Sequence, residues 1–355
     1  MALALSVSGL QKSEDTPGLF RVKVNGKYGF INRSGKIVIA PVYDDAQPFR
    51  DGLSPVRVGG KYGFIDSEGQ LIIQPQFEQV DWFSEGLAGV KVGSQWGFID
   101  KSGKMVIEPR YRFALSFNEG LASVSLGNID GYIDKTGKMV FTVEANRSGS
   151  SFSEGFARVS LKRLGEYEEF FIDHTGKRAF PGTYYMVADF SDGLAVVYEN
   201  KDKRGYIDHM GKVVIPFQNW ATSRFVEGLA TANLPKKGEV YIDKTGKPVI
   251  TGDFFTAGPF SEGLAAVQLR TGPDSARTVN TPNGTVTAFT AGVKYGYIDK
   301  TGKVVIPAQF EDAGRFKDGL AQVCLESTAR IDFMGAKKPC GYIDTTGKFV
   351  WGPSE

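Results

Sequence analysis

Two cysteines and two histidines in 355 residues leave little room for two kinds of chemistry. A pair of thiols cannot make a disulfide framework, and two imidazoles need thiolates or carboxylates beside them to complete a common metal site. No apolar run approaches the ~18 residues of a membrane-spanning helix. An excess of one charge is also missing. The 42 basic and 40 acidic residues give a formal +2, which points neither to nucleic acid nor to an anionic membrane surface. Phosphate loops and nucleophile–base signatures are absent too, so no catalytic residue, cofactor or metal is expected, and the protein is read as non-enzymatic. The opening Met1-Ala-Leu-Ala-Leu-Ser-Val carries no basic n-region, so it does not read as a signal peptide. A soluble protein is expected, cytoplasmic or secreted with its signal already removed.

What the chain has in plenty is glycine and aromatic residues. Its 44 Gly and 16 Pro exclude long helices, since an interior Gly costs ~1 kcal/mol and a Pro ~3. Disorder is excluded by 41% hydrophobic residues and by 26 Phe, 14 Tyr and 4 Trp, which can build a core.

Much of that glycine falls at fixed intervals. Gly86-Leu-Ala-Gly-Val90 recurs in variant form from Gly18, Gly52, Gly120, Gly155, Gly193, Gly228, Gly263 and Gly319. Each copy is followed by an aromatic-Ile-Asp step (Asn32 replaces Asp in the first) and then by a Gly-Lys-x-Val-Ile segment or a variant of it. A period of 34 residues could belong to a helical repeat, but every copy holds three short apolar runs broken by Gly turns. That reads as a three-stranded antiparallel meander. The third run, as in Lys104-Met-Val-Ile107, is apolar on both faces, so each small sheet is expected to be sandwiched between its neighbours. The connection to the next copy carries apolar residues three apart, for example Tyr43, Ala46, Phe49 and Phe77, Val80, Phe83. This spacing predicts a helical or 3₁₀ turn rather than a fourth strand.

Asp66, Asp100, Asp134, Asp173, Asp208, Asp243, Asp299 and Asp344 each stand three residues before a Gly. A type I turn wants that pair, and an Asp oxygen can close an Asx turn, so these residues are assigned a structural role.

The segments Lys61-Tyr-Gly-Phe-Ile-Asp66 and Gln95-Trp-Gly-Phe-Ile-Asp100, with Phe-Ser-Glu-Gly-Leu-Ala upstream, resemble the WG (KWG) β-repeat found mainly in bacterial proteins. The resemblance spans residues 18–351 as nine copies. It implies an all-β repeat array and brings no catalytic residues with it. Phe170 and Val240 stand where the repeat has Gly, so close packing there must be rearranged.

Three strands per repeat fall short of the four in a propeller blade. The expected fold is therefore an all-β repeat array, an open twisted β-solenoid, with a closed propeller-like ring as the alternative. Residues 1–17 would be an N-terminal cap or flexible segment, 18–351 one elongated domain, and 352–355 a tail. Insertions at 270–294 and 326–338 break the period, and a milder one lies at 161–169; all are expected between the first and second strands of their repeats.

The aromatic before the second-strand Gly is Tyr28, Tyr62, Trp96 and Tyr295, but charged in the middle repeats. These four form the candidate binding surface. The first functional expectation is a scaffold for protein partners. The second is a module that binds a polysaccharide or the cell envelope through this ring ladder. The Gly-Lys lysines, such as Lys36 and Lys104, and the acids before Gly-Leu, such as Asp51 and Glu85, are expected to run in adjacent columns. His174 and His209 are expected at exposed turn positions. Cys324 and Cys340 are placed on opposite faces of their hairpin, as free thiols.

Overall fold

Each repeat folds as a small antiparallel sheet because its β-branched and aromatic runs are short and Gly turns separate them. In the computed structural model the residues described are 18–143, 149–163, 166–281, 284–290, 292–326 and 338–354. Seven sheets of three to six strands and two two-stranded hairpins account for the strands among them. By contacts the chain divides into two compact bodies. The first comprises Met1–Asn32, Lys36–Asn128 and Ile133–Met139; the second comprises Arg33–Gly35, Ile129–Tyr132 and Val140–Glu355. Expectations for residues 1–17, for the 327–337 part of the second insertion and for Glu355 lie outside the described residues.

A representative sheet of the first body runs Asp45–Ala46, Ser54–Val58, Lys61–Ile65, Leu71–Phe77, in that spatial order. The two-residue strand at its edge corrects the expected helical turn. Asp45 pairs with Arg57 and Ala46 with Val56, and the flanking N–H groups of Asp44 and Gln47 donate to Arg57 and Pro55 carbonyls at 2.9 Å. The three-residue apolar spacing that suggested a helix has another cause. Ala46 and Phe49 are both buried, but the chain between them is a short strand running into a turn.

That turn is a two-residue hairpin. Asp51 and Gly52 have φ of 50° and 83°, the type I′ geometry, and Arg50 and Leu53 exchange both backbone hydrogen bonds around them. The acidic residue before Gly-Leu adopts the same left-handed conformation in every later repeat.

With the fourth strand present, the sheets have the composition of propeller blades, and the expected open solenoid is overturned. The sheets are the blades of a β-propeller. In the second body, the turn Arg33–Gly35 from the start of the chain packs against Val350 and Trp351 of the last strand, and Arg33 pairs with Asp318 at 3.1 Å. An open stack would leave its first and last repeats apart.

The tryptophan–glycine step has a steric cause. Trp96 pairs with Tyr111 and Phe98 with Ile107, so the third strand bulges opposite Gly97. A Cβ at Gly97 would lie 2.5 Å from the Ile107 carbonyl oxygen. Where Gly is replaced by Val240, the residue pairs directly with Thr251 and the register shift lies before it. The third strands are sheet edges, not sandwiched layers, except Pro248–Ala257, which also pairs with Leu264–Arg270. Ile73 is 2% exposed, but Leu71 and Ile72 before it are exposed at 37% and 42%. Pro75, Pro109 and their counterparts mark these edges, where a missing N–H is tolerated.

The core is built by aromatic pairs, one ring from the second strand and one from the connection. Phe30–Phe49, Phe64–Phe83 and Phe98–Phe117 in the first body all meet edge-to-face at 4.9 Å. Tyr206–Phe225 and Tyr297–Phe316 in the second body do the same. Such pairs contribute about 0.5–1.5 kcal/mol each beyond the area they bury.

Both cysteines depart from expectation. Cys324 and Cys340 are direct cross-strand partners and form a disulfide. Directly opposed residues of an antiparallel pair share a face, so the placement on opposite faces is corrected. The 270–294 insertion is a hairpin of Ser275–Thr281 with Gly284–Thr290, between the strands Leu264–Arg270 and Val293–Asp299.

Candidate functional site

The repeated polar residues first show which positions the fold consumes. In the Asp turns, Oδ1 of Asp134 accepts the N–H of Thr136 at 2.9 Å, that of Lys138 at 3.1 Å and the Thr136 hydroxyl at 2.6 Å. The same pattern holds at Asp100, Asp173, Asp243, Asp299 and Asp344, and without the hydroxyl at Asp66 and Asp208. The hydroxyl bonds hold the carboxyls of Asp100, Asp134, Asp243 and Asp299 below the usual range.

The acids before Gly-Leu clasp neighbouring repeats. Asp51 accepts the Gly86 N–H at 2.6 Å and pairs with Lys101 at 2.7 Å. In the second body Asp192 accepts the Gly228 N–H at 2.5 Å and pairs with Lys244 at 2.8 Å. The cation is the residue after the turn Asp, not the Gly-Lys lysine, which corrects the expected pairing of columns. His209 occupies this place in one repeat, 2.9 Å from Glu154. It is exposed, as is His174, which stacks on Phe152 at 4.2 Å.

The four aromatic positions are half-buried in the middle strands of their sheets. Arg21 and Lys23 lie over Tyr28 at 5.1 Å, and Arg57 lies over Tyr62 at 5.8 Å. Tyr62 also donates its hydroxyl to Asp45 at 2.7 Å. Trp96 and Tyr295 pack against the cores of their own repeats, opposite Lys91 and Gln268. Each ring thus has neighbours from its own sheet covering part of its surface.

A site that sequence reasoning missed lies in the second body. After the third strand three repeats place an acid, Asp44, Glu78 or Glu311, that pairs with a lysine of the preceding hairpin. Asp44 pairs with Lys27 at 2.5 Å and accepts the Gly59 N–H at 3.0 Å; Glu78 pairs with Lys61 at 3.3 Å. The residue at this position, five before the buried Phe225, is Trp220. Pro235 stands where Gly59 donates and has no N–H to give. The polar link cannot form, and Lys203 pairs instead with Glu199 of its own hairpin. In its place is an open groove of about 540 Å³ lined by Phe217, Gln218, Asn219, Trp220, Leu234, Pro235 and Lys237. The position is variable in the sequence, with Asp44, Glu78 and Glu311 in three repeats and Tyr185, Trp220 and Phe255 in three others, so it gave no clear signal; only the repeat with Trp220 also has Pro at the place of Gly59.

Among the described residues no three His, Cys, Asp or Glu converge as metal ligands, and no helix is long and apolar enough to cross a membrane.

A family model described as "WG containing repeat" matches residues 28–62, 62–96, 96–128, 131–163, 170–201, 205–234, 241–270 and 295–327. No curated protein matches. Among solved structures, BamB from Moraxella catarrhalis is similar with 10% identity and a TM-score of 0.41, over 86% of this chain and 93% of that one. Hsv2 from Kluyvelomyces marxianus matches with 10% identity and a TM-score of 0.36, over 68% and 95%. The tricorn protease matches with 11% identity and a TM-score of 0.40, over 91% of this chain and 41% of its own.

Proposed function

This chain belongs to the WG containing repeat family, and on that premise we propose that it is a non-enzymatic scaffold binding a protein segment at the Trp220 groove. The observation that carries the reading is the open groove in which Trp220, at the place of Asp44, faces Pro235, at the place of the Gly59 amide that Asp44 accepts. The clasp residues elsewhere are consumed in holding the fold, whereas Phe217, Trp220 and Leu234 line open space. Apolar grooves of this kind take bulky side chains, and tryptophan is among the residues that dominate binding energies. Lys237 is the charged member of the lining, so the fitting occupant is a segment with a bulky apolar anchor beside an acidic residue.

A random-peptide display library panned against the intact chain tests this. Selected peptides should carry that pattern and lose roughly thirtyfold or more in affinity for Trp220→Ala, the ~2 kcal/mol of an anchor residue. Binding to Tyr62→Ala should be unchanged. Peptides insensitive to Trp220→Ala would sink the proposal. A glycan array answered only by intact Tyr62 and Trp96 would replace it with the polysaccharide reading.

A further inference from the structure

The 270–294 insertion carries a sheet of its own. Ser275–Thr281 pairs antiparallel with Gly284–Thr290, and among the described residues neither strand pairs with any other. Its stem is anchored in the second body. The Gly292 carbonyl accepts the Thr271 N–H at 2.8 Å and the Gly272 N–H at 3.1 Å, Asp274 pairs with Arg270 at 2.9 Å, and Lys294 bridges Glu311 and Glu326. A Cβ at Gly292 would lie 2.3 Å from the Gly272 carbonyl oxygen, so the two sides of the stem are in backbone contact. The hairpin is held at its base and presents two open edges. Two strands alone are marginal in water and gain from added ones.

Blade edges elsewhere are guarded. The third strands hold Pro41, Pro75, Pro109, Pro216, Pro307 and Pro353, and a proline on an edge blocks its pairing. The hairpin strands hold no proline, lysine or acid. Their one charge is Arg277 on the first strand, and Gly284–Thr290 is uncharged throughout.

The register shows what this edge fits. Thr281 and Gly284 flank a two-residue loop and so form a hydrogen-bonded pair; bonded and non-bonded pairs then alternate along the hairpin. Thr285, Thr287 and Phe289 fall in the non-bonded pairs, opposite Asn280, Thr278 and Ala276, so their N–H and C=O groups face the outer edge. Turned end for end about Thr287, the strand matches its own copy: Thr287 stands opposite Thr287, Thr285 opposite Phe289, and Val286 opposite Ala288. These are β-branched and aromatic cross-strand pairs with no like charges opposed. The same operation on Ser275–Thr281 about Thr278 would set two copies of Arg277 beside the axis.

We propose that this chain self-associates through Gly284–Thr290, which pairs antiparallel with the same strand of a second copy about a two-fold axis at Thr287. The contact is isologous, so it closes as a dimer. It does not depend on the Trp220 reading and would stand if that reading failed.

Sedimentation velocity of the intact chain tests it. A monomer–dimer equilibrium is expected, with a dissociation constant on the order of 1–100 µM for so small an interface. Thr287→Lys and Thr287→Asp should each weaken it roughly fivefold or more, because like charges then oppose across the axis, and an equimolar mixture of the two should restore it. Thr278→Lys, on the other edge of the same hairpin, should leave it unchanged. A chain that stays monomeric over that range overturns the proposal. So does a dimer that persists in Thr287→Lys, falls equally in Thr278→Lys, or fails to return in the mixture.

Discussion

Arg33 Nη2 lies 3.1 Å from Oδ1 of Asp318, across 285 residues of chain. The pair repeats, where the array closes, the bridge of Lys101 to Asp51. Its side chains are not equally buried: Arg33 remains 63% exposed. Removing it as Arg33→Ala should cost less than about 1 kcal/mol, the ordinary worth of a surface ion pair. Gly35, two residues on, is different. Its φ is 80°, and a Cβ there would run into the Val350 carbonyl oxygen. Gly35→Ala should cost ~2–4 kcal/mol from backbone strain plus overpacking. Urea unfolding of the two variants separates these; equal losses would mean that the seam is held by charge rather than by backbone contact.

Two glycines of one repeat should also respond unequally. A Cβ at Gly97 meets the Ile107 carbonyl at 2.5 Å, whereas nothing lies within 4 Å of one at Gly86. Gly86→Ala therefore loses only the ease of a positive φ, about 1–2 kcal/mol. Gly97→Ala must open the bulge of the third strand and should lose ~1–3 kcal/mol beyond that. Denaturation midpoints that rank Gly86→Ala as the worse variant would refute the steric account of the tryptophan–glycine step.

Acid should reveal the Asp turns. The hydroxyls of Ser102, Thr136, Thr245 and Thr301 lower the carboxyls they bond. A depressed folded-state pKa stabilises the fold above the unfolded value of about 3.9, and that stability is lost as pH falls through the depressed one. The triple variant Thr136→Val, Thr245→Val, Thr301→Val should unfold at a higher pH on acid titration followed by circular dichroism. An acid midpoint equal to that of the wild type would show that these hydroxyls do not shape the turns.

The Cys324–Cys340 bridge closes a sequence separation of 16 residues. In the chain-entropy account, a loop of that size contributes ~3 kcal/mol by restricting the unfolded state. Reductant should lower the urea midpoint by a corresponding amount, and the Cys324→Ser, Cys340→Ser double variant should be insensitive to it. A midpoint independent of reductant would remove the bridge from the stability of this chain.

The strands were legible because Gly and Asp mark their ends and because pairs such as Phe98 and Gly97 recur at the same spacing. The short edge strand was not. Two residues such as Asp45 and Ala46 are too few to show an alternation, and the three-residue spacing of buried Tyr43, Ala46 and Phe49 imitates a helix. Missing that strand removed the blade, and with it the ring. Closure itself leaves no local trace, because Gly35 sits in the same turn pattern as Gly69 whether its neighbour is Val350 or solvent. The disulfide was within reach: counting the register of Val90 opposite Gly97 onto Val323 and Gly341 sets Cys324 against Cys340. The Trp220 groove was not legible, because its position varies between acids such as Asp44 and aromatics such as Tyr185 and Phe255, and its meaning appears only once Asp44 and Gly59 are known to touch.

The clasp between repeats joins a side chain to backbone. Asp51 and Asp192 grip the amides of Gly86 and Gly228, groups that every repeat supplies regardless of its other side chains. The amide half of the joint asks only for a Gly at positive φ, while the lysine half, Lys101 or Lys244, is the part that depends on a side chain. The amide contact between neighbouring repeats therefore tolerates exchange of the other side chains around Gly86 and Gly228, so long as the glycine itself is kept.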